Sequence, residues 1–168
     1  MHTWVLLIYR VPAAPTRKRA AVWREVKRLG ALYLRDGVCA LPDTSAARAG
    51  LESLAERVRE LGGQATVARN TQLDGAAAEA LDGEWRSARA AEYDEVARAA
   101  AGLLRHIQEE STHHGFGRAE LTSLTGDLGR LERWLGQVVG RDYLRRGDPA
   151  SIARTLAACR AALSGQAA

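Results

Sequence analysis

The chain is short of cysteine, lysine, aromatic residues and long apolar runs, and each shortage narrows what it can be. Two cysteines in 168 residues, Cys39 and Cys159, exclude a disulfide framework and a CxxC metal or redox motif. Each falls in an apolar stretch, where cysteine behaves as a small buried hydrophobe. The apolar opening stretch is too short to span a bilayer and has no cleavage-site pattern. A cytoplasmic protein with no membrane partner is therefore expected. No phosphate-binding glycine loop, nucleophile elbow or HExxH motif is found. The expectation is a protein that is not an enzyme and holds no cofactor, with a small enzyme as the weaker alternative. Aromatic residues make up only 5% of the chain, yet four of them are Trp.

What is present is ordinary for a soluble globular protein: 46% apolar and 26% charged residues. The net charge of +4 is unevenly spread. Residues 1–70 hold 12 Lys/Arg against 6 Asp/Glu, and residues 71–168 hold 12 against 14. The front half therefore suits an acidic partner such as nucleic acid, a phosphate or another oxyanion. A solvated face explains the same excess equally well.

Along the chain, Thr3 to Tyr9 reads as a strand with apolar residues on both faces, so cover on both sides is expected. Pro12 and Pro15 lead into a helix from Thr16, with Val22, Trp23, Val26 and Leu29 at helical spacing and Gly30 as its stop. Asp36-Gly37 marks a two-residue hairpin. A second helix follows Asp43 to Ser45, with Ala47, Leu51, Leu54, Val58 and Leu61 on one face and Gly62-Gly63 ending it. Gln64 to Arg69 closes the pattern as a strand. The order βαββαβ predicts an α+β, ferredoxin-like antiparallel sheet over residues 1–70. Residues 71–83 read as a linker, and 84–168 as a helical extension packed on the sheet domain. In that extension the stripes Tyr93 to Ile107 and Leu121 to Val138 predict an antiparallel helical hairpin turning at Ser111 to Gly117. A last helix follows Pro149. The open sheet face is covered by these helices or by a second copy, which makes a homodimer one option.

The block WVLLIYRVPAAPTRKRAAVWREVKRLGALYLRDGVCALPD resembles the N-terminal domain of the ChrB family of chromate-resistance proteins. The likeness continues through AEYDEVARAAAGLLRHIQEE and GFGRAELTSLTGDLGRLERWLGQVVGRDYL. The strand-helix-hairpin pattern is also similar to the C-terminal domain of PaaX-type repressors. The resemblance implies a bacterial, chromate-responsive transcriptional regulator tied to an efflux operon. ChrB proteins usually continue into a chromate-resistance domain, and PaaX-type repressors read DNA with an N-terminal winged helix. Neither is among these 168 residues.

The first candidate site is the basic helix: Arg17, Lys18, Arg19, Arg24, Lys27 and Arg28, with Glu25 as its one acid. Such a helix suits phosphates of DNA, or a small anion. The competing expectation pairs its cations with Glu52, Glu56 and Glu60 of the next helix. The second candidate is Arg141, Arg145 and Arg146 in GRDYLRRGDP, since guanidinium forks suit a tetrahedral oxyanion such as chromate. A helix C-terminus also favours cations without any ligand. His106, His113 and His114 lack the surrounding ligands of a metal site, so no metal is expected. Trp4 and Trp23 fall on apolar stripes and are expected in the core; Trp85 and Trp134 are expected to join the helical part to the sheet. Metal-dependent nucleases of similar fold look for an acidic residue at the end of the first strand. Tyr9-Arg10 stands there instead.

Overall fold

A computed structural model describes residues 3–113 and 115–165. The element order is β1 (Trp4–Arg10), α1 (Thr16–Leu29), β2 (Leu32–Arg35), β3 (Val38–Pro42), α2 (Ser45–Glu60), β4 (Gln64–Thr71), α3 (Gly75–His113), α4 (Arg118–Arg141) and α5 (Pro149–Ser164). The fold is α+β, with one four-stranded antiparallel sheet in the order β2-β3-β1-β4. The chain divides into two compact units, Met1–Trp85 and Arg86–Ala168. Among the described residues, no helix is long and apolar enough to cross a membrane.

In the first unit, β1 is central because its residues are apolar on both sides. Leu7 pairs with Cys39 of β3 and Val67 of β4, and Val5 pairs with Leu41. These inward residues meet Val22 and Val26 of α1 and Leu51, Leu54 and Val58 of α2, all buried. Burial of such side chains stabilises by roughly 1.5–3 kcal/mol each. The α1 helix ends where Gly30 takes a left-handed φ of 71°, and Thr44 caps α2 by accepting from the Ala47 amide at 3.2 Å. On the second sheet face Ile8 is 45% and Leu34 38% exposed.

The stretch read as a linker is largely helical, because α3 begins at Gly75. The run Ala76 to Ala80 contains strong helix formers, which outweigh the flanking glycines. The helix likewise continues to His113, inside the expected turn.

In the second unit, Tyr93, Val96, Ala100 and Ile107 pack with Leu124, Leu128, Leu135 and Val138 and with Ile152, Leu156, Cys159 and Leu163. Tyr93 lies against Asp142, and Ala99 and Leu103 share a groove with Asp127 and Trp134. The α3 and α4 segments are thus antiparallel, as their spacing predicts. Asp148 caps α5 by accepting from the Ser151 amide. Both cysteines are free and buried, as expected.

Candidate functional site

The basic helix presents its cations on distinct faces. With Val22, Val26 and Leu29 turned to the core, positions 17, 24 and 28 fall on the opposite side of the helix. Arg17, Arg24 and Arg28 are all exposed there. Arg28 bonds Glu25 through Nε at 2.8 Å. Both side chains are solvated, so the pair is worth at most about 1 kcal/mol and leaves the cation available. Among the described residues, Arg17 and Arg24 make no ion pair.

The glutamates expected to neutralise this helix are engaged elsewhere. Glu52 pairs with Arg69 of β4, Glu56 with Arg59 at 2.5 Å, and Glu60 with Arg57 at 2.9 Å. Three arginines of α2 and β4 thus occupy the three acids. Lys18 departs from its companions: its Nζ donates to the Leu61 carbonyl at 2.8 Å, closing the C-terminal end of α2. It holds the two helices together and is not part of the outward face.

A second face of α1, formed by Thr16, Arg19, Ala20 and Trp23, looks across an open cleft of about 770 Å³. The other walls are Tyr9, Arg10 and Val11 at the end of β1 and Tyr33, Asp36 and Gly37 of the β2–β3 hairpin. The Tyr9 and Tyr33 hydroxyls are 2.9 Å apart and share a hydrogen bond. Burial pushes the pKa of both phenols above the ordinary value. Both therefore keep their protons near neutral pH. The Tyr9 amide donates to the Gly37 carbonyl at 2.7 Å and fastens the hairpin tip to β1. Trp23 is not in the core, against the expectation, but 53% exposed. On the helical wheel it sits beside the core stripe, on the cleft side. Lys27 Nζ stands 5.9 Å from the centroid of its ring, at the limit of a cation–π contact. Trp4, in contrast, is buried as expected.

Of the second arginine cluster, Arg141 is partly buried at the end of α4. Arg141 Nε lies 3.5 Å from Glu92, within a nearly enclosed network. There Arg89 donates to Glu92 at 3.2 Å, and Asp142 accepts from the Tyr93 hydroxyl at 3.2 Å and the Gly147 amide at 2.8 Å. Arg145 and Arg146 are exposed in the following loop. This network links residues 49 positions apart, and no spacing rule in the sequence announces it. His106 is exposed on α3; the His113 side chain and His114 lie outside the described residues. No group of three metal-ligating side chains occurs among the described residues. Trp134 packs on the helical core of its own unit.

No solved structure matches the chain. A curated relative, "Protein ChrB" of Cupriavidus metallidurans (strain CH34), is 42% identical over 52 residues. That stretch covers 31% of this chain and 16% of the relative, so the chain matches a small part of that protein's length. The family model described as "Protein ChrB, N-terminal" matches residues 19–168, and on that extent the chain belongs to the ChrB N-terminal family.

Proposed function

We propose that the chain is the regulatory domain of a bacterial chromate-resistance system and that it contacts DNA through the outward face of α1. The observation that carries this reading is the state of Arg17 and Arg24. Both are exposed and unpaired among the described residues, while Glu52, Glu56 and Glu60 are held by other arginines. A helix that keeps like charges together without internal neutralisation gains most from an external polyanion. The reading is of a non-catalytic binding domain whose affinity responds to chromate. Its sheet unit is read as ferredoxin-like, supported by the βαββαβ order and the strand order β2-β3-β1-β4.

The test is a gel-shift titration with promoter DNA of the chromate-resistance operon, with and without chromate. The expected result is a shift that chromate weakens, with affinity reduced tenfold or more in the double variant R17A/R24A. Equal affinity of the variant and the unaltered chain would overturn the proposed contact. Neither position lines the cleft or supports the core, so the variant is expected to fold normally.

A further inference from the structure

We propose that the cleft between α1 and the β2–β3 hairpin is a nucleobase pocket, which takes one unpaired nucleotide of a bound nucleic acid. The inference deepens the proposed DNA contact and rests on it for the biological ligand. Its chemistry comes from the cleft alone.

Four properties of the cleft select this class of ligand. Its volume of about 770 Å³ lies in the usual range for a small organic ligand and far exceeds a tetrahedral oxyanion. Its rim carries a half-exposed indole, Trp23, which gains nothing from an inorganic ion but offers a stacking surface for any base. Lys27, 5.9 Å from the centre of that ring, is not among the residues that line the cleft. Arg19, one helical turn before Trp23 on the same side of α1, and Arg10 at the end of β1 bring positive charge to the lining of the same cleft. That charge suits the phosphate attached to a stacked base. Asp36 also lines the cleft. A carboxylate there opposes a bare anion but accepts from an exocyclic amine.

The tyrosine pair completes the polar lining. Two protonated hydroxyls share one hydrogen bond at 2.9 Å. One O–H is used within the pair, so the second remains to donate to a base carbonyl or ring nitrogen. Gly37 fixes the back wall: its φ is +73°, and a Cβ there would stand 2.5 Å from the Tyr9 carbonyl oxygen. The arginines that face outward, Arg17 and Arg24, do not line the cleft. Backbone contact and base capture are therefore separable by mutation.

The experiment compares, by fluorescence anisotropy with the full chain, a blunt duplex and the same duplex carrying a single-stranded overhang. The overhang is expected to bind about tenfold tighter. W23A is expected to abolish that difference, W23F to retain most of it, and R17A/R24A to weaken both DNAs alike. Equal affinity for the two DNAs, or an overhang preference that survives W23A, would overturn the pocket while leaving the outward contact intact. If neither DNA binds, the outward contact fails, and a titration with AMP against inorganic phosphate decides the pocket by itself. Quenching of tryptophan emission by AMP alone, absent in W23F, supports it; absence of quenching in the unaltered chain overturns it.

Discussion

Gly37 is the residue on which the cleft's geometry depends most closely. Its positive φ and the nearness of the Tyr9 carbonyl leave no room for a side chain. Gly37→Ala is expected to destabilise the chain by roughly 1–3 kcal/mol, measured by chemical denaturation. Its companion Asp36 is readable from the sequence, because a hairpin signal of two residues is purely local. Trp23 is not. A large apolar side chain at near-core spacing reads as core, yet one step around the helix carries it past the buried stripe of Val22, Val26 and Leu29. The tyrosines give a second residue-scale expectation. Burial raises Tyr93 from 10.0 to about 12, and its bond to Asp142 adds to the shift; Tyr9 and Tyr33 are raised as well. Between pH 10 and 12 the unfolded phenols release protons that the folded ones retain, so the folded state binds more protons there. Stability is therefore unaffected by these groups below pH 10 and falls as pH rises through that window. Ultraviolet titration of phenolate, with a parallel denaturation series, checks both statements. Tyrosines that all ionise near pH 10 would contradict them.

At the scale of elements, the helices begin and end where local chemistry directs. Thr44 caps α2, and Thr44→Ala is expected to cost about 1 kcal/mol in denaturation measurements. The start and stop of α1 and the last helix after Pro149 are equally readable, since Pro, Gly and Asp act over a few residues. Pairings between elements are not readable. The sequence places Glu52, Glu56 and Glu60 on the helix beside α1 but does not show that Arg69, Arg59 and Arg57 engage them first. The same limit hides the network of Arg89, Glu92, Tyr93, Arg141 and Asp142. Asp142 is 4% exposed and accepts two hydrogen bonds. Replacing it with Ala is expected to destabilise by about 3 kcal/mol, since the Tyr93 hydroxyl and the Gly147 amide are left without their acceptor. Asp142→Asn is expected to cost less, because an amide oxygen still accepts from both. A thermal-melt comparison of the two variants tests this; equal destabilisation would mean that the acceptor is unimportant.

Across the whole molecule, charge and architecture run in parallel. The positive excess lies in residues 1–70, the stretch that forms the sheet and its two helices. The mainly helical remainder holds nearly balanced charge and buries Arg89 beside Glu92. An outward face with Arg17, Arg24 and Arg28 on one side of a single helix is the feature that gives the first unit an electrostatic direction. Each phosphate neutralised by such a face releases counterions, so the number of phosphates engaged is read from salt dependence without knowledge of the DNA sequence.

The most direct measurement is therefore the slope of log affinity against log salt for promoter DNA, with the unaltered chain and R17A/R24A. The expected result is a clearly negative slope for the unaltered chain that becomes shallower by about 1.8 in the variant, about 0.9 for each phosphate that the variant no longer neutralises. Identical slopes for the two proteins would contradict the assignment of α1 as the nucleic-acid contact.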